Sequence, residues 1–217
     1  VLSTAHIVDA ILRSPDQGTV LFNASCVGYY GSCGDGPVIE SSEPGTTFLA
    51  QVASIWEETA LRAEEAGIRV VLCRFGIVLG KQGGAFPKLA RLTRFHVNAA
   101  WGSGNQWFSW IHEKDVARIF MFLLEHDNIR GPVNFTAPEP VQNRTMAAVL
   151  NQVLRTKPLL PVVPAWMLRS ALGEFSHVFL AGQRALPDVL TRHGFVFQFP
   201  ALWQAAADLA HVAGGAS

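Results

Sequence analysis

The strongest constraint in this sequence is the recurrence of short, unbroken apolar runs with helix-forming stretches between them. Residues 19–23 (TVLFN), 69–79 (RVVLCRFGIVL) and 133–136 (VNFT) lack the apolar–polar alternation of a half-exposed strand. Runs of this kind suit parallel strands covered on both faces. Between the first two lies a helical stretch at 48–66, which Thr46 or Thr47 can cap and Gly67 can close. Strand, helix, strand in that order is the pattern of a crossover unit. Further helices are predicted at 2–12, with Ile7, Val8, Ile11 and Leu12 on one side, at 87–95, and at 115–126. Asp115 is the expected cap of the last, and Val116, Ile119, Phe120 and Leu123 form its apolar stripe. The whole pattern predicts a layered α/β fold with a mainly parallel sheet.

Composition narrows the partners. The 217 residues are 49% hydrophobic and 16% charged, enough apolar material to bury a core and too much for a disordered chain. Lys+Arg and Asp+Glu both number 17, with no basic block, so neither nucleic acid nor an anionic membrane is expected as a partner. Cys26, Cys33 and Cys73 are odd in number and lack metal-ligand spacing, which predicts reduced thiols in a cytoplasmic protein and no metal. No apolar run reaches the roughly 18 residues of a spanning helix. Sequons begin at Asn23, Asn134 and Asn143, two of them on apolar runs, and read as chance matches.

The chain begins at Val1 inside what already reads as a helix, so a preceding segment is expected. At the other end Pro158, Pro161 and Pro164 interrupt the pattern, and helices at 165–172 and 178–190 with the apolar run 195–199 predict a small, mostly helical lobe over 158–217, set apart from a larger domain at 1–157.

In an open parallel sheet, ligands bind beyond the carboxyl ends of the strands, which directs attention to residues 25–31, 74–80 and 137–143. The segment NASCVGYYG at 23–31, the segment CRFGIVLG at 73–80 and the segment GSGNQWFSWIHEKDVA at 102–117 together resemble the extended short-chain dehydrogenase/reductase superfamily. A narrower resemblance, to an epimerase-like family within it, is carried by Tyr29-Tyr30, Trp56-Glu57-Glu58, Gly102-Ser103-Gly104 with Trp110-Ile111-His112, and Gly182-Gln183-Arg184-Ala185-Leu186-Pro187.

That resemblance implies a Rossmann-like doubly wound parallel sheet, here without the N-terminal glycine-rich phosphate loop, and a C-terminal substrate lobe. It implies NADP as cofactor, with NAD as the alternative, lined by Ala24, Ser25, Arg74, Phe75, Gly76, Ile77 and Val78. Ser25 and Tyr30 are the expected catalytic pair, and Tyr29, Phe86, Trp107, Trp110 and His112 the expected substrate contacts. The expected activity is that of an oxidoreductase or epimerase on a small carbonyl or alcohol, in a monomer or homodimer. One departure stands out: where the superfamily has Tyr-x-x-x-Lys, this sequence has Phe48 and Val52. The lysine of that pair lowers the tyrosine from its model value of about 10, and neither Phe48 nor Val52 can move a proton. A dinucleotide-binding sensor or interaction protein without catalysis is therefore the alternative. The superfamily's arginine for a nucleotide-sugar diphosphate is replaced by Trp107 or Phe108, which disfavours a UDP-sugar. Bland structural roles are expected for Arg74, in neutralising a core carboxylate, and for His112.

Overall fold

The computed structural model describes residues 1–14, 16, 18–159, 162–164, 166 and 182–213. Helix α1 (Leu2–Arg13) precedes strand β1 (Val20–Cys26), and a 3-10 turn follows at Val27–Tyr30. After the short strand β2 (Pro37–Val38) comes α2 (Phe48–Leu61), whose cap Thr47 accepts a hydrogen bond from the Ala50 amide at 3.2 Å. A 3-10 turn over Arg62–Ala66 ends at Gly67, in the left-handed conformation. Strand β3 (Arg69–Phe75) then returns beside β1.

Beyond β3 come β4 (Ile77–Leu79), α3 (Phe86–Arg94), β5 (Ala100–Trp101), β6 (Trp107–Phe108) and β7 (Trp110–His112), which leads straight into α4 (Glu113–Glu125). They are followed by β8 (Gly131–Phe135), β9 (Val141–Gln142), α5 (Asn143–Val153) and β10 (Val162–Val163). The described C-terminal elements are β11 (Arg184–Ala185), α6 (Asp188–Arg192) and α7 (Leu202–Ala213).

The main sheet is parallel, in the order β1-β3-β8. Alternation along β3 decides what each face meets. Val70 and Leu72 pack with Val8 of α1, with Ala60 of α2 and with Ala63 just after it, whereas Val71 and Cys73 pack with Ile119 and Leu123 of α4 and with Val133 and Phe135 of β8. Helices thus cover the sheet on both sides, and Arg74 falls on the α2 side by the same alternation. The α/β parallel fold expected from the apolar runs is the one observed. No helix among the described residues is long and apolar enough to cross a membrane.

Several expectations need correction. The run 69–79 is two strands, because at Gly76 the backbone comes so close to the next segment that a Cβ would stand 2.7 Å from the Ser109 carbonyl oxygen. The chain there leaves β1 and β8, and β4 pairs in parallel with β7. Ile7 is 52% exposed, off the buried side of α1. Asp115 does not cap α4; His112 does, its Nδ1 accepting from the Lys114 amide at 3.1 Å. Asp115 is instead fully buried and accepts from the amides of Gln198 and Phe199, at 2.9 Å each. Residues 195–199 form no strand but lie pinned against α4 by those bonds. Helices α5 and α7 were not anticipated. The expected helix at 165–172 lies outside the described residues apart from residue 166, and so do positions 178–181 of the one expected at 178–190; from residue 182 on the chain forms not one helix but β11 followed by α6. Among the described residues of 182–213, Leu202, Ala205 and Leu209 share a core with Leu79, Trp110 and Leu150, and Leu190 shares one with Ile111 and Phe135. This stretch is built into the sheet domain's cores.

Candidate functional site

The parallel register aligns Ser25 with Arg74 and Cys26 with Phe75, so the carboxyl ends of β1 and β3 meet side by side. A buried polar network is built across them. Ser25 Oγ donates to Glu57 Oε1 at 2.5 Å, and Glu57 also receives Arg74 Nε at 2.9 Å and Arg74 Nη2 at 2.7 Å. Arg74 Nη1 donates to the Tyr30 hydroxyl at 3.0 Å and to the Glu40 carbonyl at 3.1 Å. The Tyr30 hydroxyl donates to Asn134 Oδ1 at 2.7 Å, and the Asn134 side-chain amide donates to the Leu186 carbonyl at 2.9 Å. One chain of bonds therefore joins β1, α2, β3, the 3-10 turn, β8 and the segment after β11.

Why Glu57 reaches the tips follows from α2. Ala50, Ala53, Glu57 and Ala60 are its buried positions, and the alanines let the helix lie close to the sheet. Glu57 and Arg74 are 4% and 3% exposed. Removing two ions from water costs several kcal/mol each, which only a fork of charge-assisted bonds can offset. The bidentate contact supplies it, and the bonds from Glu57 hold the Arg74 guanidinium firmly protonated, above its ordinary value, against the opposing effect of burial. The Glu40 carboxyl is also buried; its Oε1 accepts from the Asn134 backbone amide at 3.0 Å, and burial raises its pKa.

Tyr30 is 2% exposed, and burial pushes its phenol up to about 12, the neighbouring Arg74 working against that shift. A catalytic acid/base near neutral pH needs the opposite, and no surface of Tyr30 is open to a ligand; its expected catalytic role gives way to a structural one. Ser25 is 4% exposed and has its single proton committed to Glu57. Tyr29 differs from both. Its ring lies on Arg74, with Cζ at 3.5 Å from the centroid, it is half-buried, and among the described residues its hydroxyl has no hydrogen-bond partner.

The remaining expected site residues divide in two. Ala24 and Ile77 present surface at the strand tips, Ile77 being 39% exposed, while Phe75 turns its ring onto Phe135 and Val78 packs against the α4 side. Gly76 donates to the Phe135 carbonyl, and Ile77 to the Ser109 carbonyl. Trp107 is half-buried and hydrogen-bonds Asp35 from its indole at 3.1 Å. Phe86, Trp110 and His112, by contrast, are enclosed and offer a ligand no surface. Trp110 donates to the Glu139 carbonyl, and His112 caps α4 and stacks on Phe199 with centroids 3.9 Å apart; burial lowers its pKa. They are core residues. The basic set Lys81, Lys88, Arg91 and Arg94 is solvent-exposed. The described cavity of about 370 Å³ lies elsewhere, between α4 and residues 194–196.

Glu57, Asn134, Ser109, Gln183 and Arg184 were not anticipated as site residues. A signal existed for Glu57, a carboxylate in phase with Ala50, Ala53 and Ala60 on an otherwise apolar face. Gln183 and Arg184 belong to a motif that carried the resemblance without a role. Ser109 Oγ donates to the Gln183 carbonyl at 2.6 Å and accepts from the Ala185 amide at 3.0 Å, and Gln183 Nε2 reaches the Gly31 carbonyl at 2.6 Å.

The model of the NAD dependent epimerase/dehydratase family matches residues 1–160, and that of a domain of unknown function, DUF1731, matches residues 163–209. The chloroplastic Arabidopsis thaliana homolog of epimerase family protein SDR39U1 is 40% identical over 198 residues, 90% of this chain and 56% of that protein. An epimerase family protein of Mycobacterium leprae is 40% identical over 185 residues, 84% of this chain and 60% of its own length. The chain thus spans less than two thirds of these relatives. Among solved structures, human epimerase family protein SDR39U1 (isoform 2) with NADPH superposes with a TM-score of 0.89 at 27% identity, over 96% of this chain and 71% of that one. A nucleoside-diphosphate sugar epimerase of Corynebacterium glutamicum gives 0.79 at 31% identity, over 97% and 41%. The Thermus thermophilus UDP-glucose 4-epimerase in complex with NAD, at 16% identity and a TM-score of 0.73 over 100% of this chain and 70% of that one, shares the Rossmann-like fold.

Proposed function

Because the chain belongs to the NAD dependent epimerase/dehydratase family, we propose that the crevice at the tips of β1 and β3 takes the nicotinamide end of NADP(H), with NAD as the alternative, in an oxidoreductase or epimerase acting on a small carbonyl or alcohol. The observation that carries this reading is the alignment of Ser25 with Arg74 in parallel strands that stop together, with Ile77 exposed just beyond. In open parallel sheets such a place is where ligands lie. An apolar surface of Ile77 at a strand end otherwise enclosed suits one face of a flat ring, and Ala24 leaves room beside it. The NADPH of the human relative supports the choice of NADP. The residues present fit the nicotinamide end only.

When bound, the nicotinamide supplies or accepts hydride. The side chains of this chain handle the substrate oxygen. Tyr29, seated on the Arg74 guanidinium, offers the unpartnered hydroxyl that donates a proton to that oxygen or accepts one from it, while Ser25, Glu57, Arg74, Tyr30 and Asn134 hold the tips in register around it.

The test uses the full-length protein with NADPH deuterated at the nicotinamide C4 and a library of small carbonyl compounds. Deuterium is expected in one or more products, and Tyr29→Phe is expected to slow transfer by about 10² or more while leaving NADPH affinity intact. Tight NADPH binding with no transfer to any compound would favour the non-catalytic sensor, the reading that Phe48 and Val52 in place of Tyr and Lys also support.

A further inference from the structure

Arg184 stands out among the cationic side chains near the crevice. Its Nε is shut off from solvent and has no hydrogen-bond partner. No carboxylate among the described residues lies within ion-pair distance of it. Its guanidinium instead lies over the Trp107 ring, 4.8 Å from the centroid. Asp35, at that ring's edge, accepts from the indole nitrogen.

The position of Arg184 is set from the crevice itself. Ser109 accepts the Ile77 amide through its carbonyl at 2.8 Å, and its hydroxyl brackets residue 184 by bonding Gln183 on one side and Ala185 on the other. Arg184 and Ala185 are further fixed by pairing with Pro37 and Val38, and Gly182 lies so close to the Trp107 backbone that a Cβ would collide with its carbonyl oxygen. Ser109 therefore ties the backbone on either side of Arg184 to the strand tip. Buried polar hydrogens are nearly always paired, and one left over in a rigid frame marks a missing partner. The planar fork of an arginine whose face is stacked on an indole presents its edge donors to a planar or tetrahedral oxyanion.

We infer that Arg184, seated on Trp107, binds an oxyanion, carboxylate or phosphate, carried by the substrate of this crevice. This rests on the reading of the crevice given above and narrows its substrate to an acidic carbonyl or hydroxy compound.

The test follows the arginine Nε–H signals of the 15N-labelled full-length protein by NMR, with the Arg184 signal assigned from Arg184→Lys. Acetate and inorganic phosphate are titrated separately against chloride at matched ionic strength, and NADPH binding is measured by fluorescence on the same samples. The Arg184 signal is expected to shift with acetate, phosphate or both, the responding anion naming the group on the substrate. In Arg184→Gln, which should melt as the parent does, affinity for that anion is expected to fall about tenfold or more. An Arg184 signal that neither anion moves beyond the chloride control, in protein that binds NADPH, would overturn the inference. An anion response in protein that fails to bind NADPH would leave Arg184 as an oxyanion site and overturn the dinucleotide reading instead.

Discussion

Ser25, Glu57, Arg74, Tyr30 and Asn134 form one cooperative unit, and its weakest tolerance is for the loss of a charge. Glu57→Gln would leave the Arg74 guanidinium buried with Tyr30, the Glu40 carbonyl and a neutral amide, and is expected to destabilise the fold by about 3–5 kcal/mol in urea titration. Glu58, the next residue of α2 and exposed, should tolerate the same change within about 0.5 kcal/mol. The buried acids make a second prediction, at alkaline pH. Tyr30 is raised from 10.0 to about 12 and Cys73 from 9.0 to about 12, both by burial. Below pH 9 each is protonated in the folded and unfolded chain alike, and their burial costs nothing. As pH rises from 9 towards 12 the unfolded chain releases protons that the folded chain retains, so stability falls by about 1 kcal/mol per pH unit for each group once its unfolded value is passed. Equilibrium unfolding across that range should show the decline beginning near pH 9, and Tyr30→Phe should remove the part that sets in above pH 10. At this scale the sequence was informative where a side chain stood in a place the fold made special. Ser25 and Arg74 follow apolar runs, so their position at the tips was readable. The split of labour between Tyr29 and Tyr30 was not, since adjacent identical residues differ only in which way the 3-10 turn sends them.

The elements were legible to the extent that they bury continuous apolar surface. β1, β3 and β8 read directly, as did α1, α2 and α4, because two-sided burial and a helical stripe leave a periodic trace. What escaped was set by close approach and by hydrogen bonds from distant residues. Gly76 divides β3 from β4 through its contact with the Ser109 backbone, which lies far along the chain. Gly76→Ala would place a methyl 2.7 Å from the Ser109 oxygen and 3.0 Å from Thr136 Cγ2. It is expected to cost about 1–3 kcal/mol in thermal unfolding and to loosen the pairing of β4 with β7. Asp115 looked like a cap because a carboxylate at the start of a helix so often is one; its real partners, the amides of Gln198 and Phe199, lie far along the chain. Asp115→Ala strands those two donors and is expected to cost about 2–4 kcal/mol, with amide exchange at residues 195–199 accelerating more than in α1.

Across the molecule, the sheet holds its functional end together through side chains from both termini of the described chain, with β1 and α2 on one side and the segment 182–187 on the other. Helix α7 packs into the same core as Trp110, so the described C-terminal residues share their apolar contacts with the sheet domain. Their contribution at the crevice could not be read locally, because it depends on Gln183 and Arg184 meeting Gly31, Ser109 and Trp107 across long stretches of sequence. Every functional assignment proposed for these residues depends on the crevice at the strand tips. Hydrogen–deuterium exchange of the full-length protein, with and without saturating NADPH, tests it most directly. Protection on binding is expected at residues 24–31 and 75–78, with the cavity between α4 and residues 194–196 unchanged. Protection confined to that cavity, or none at the tips despite saturation, would contradict the account.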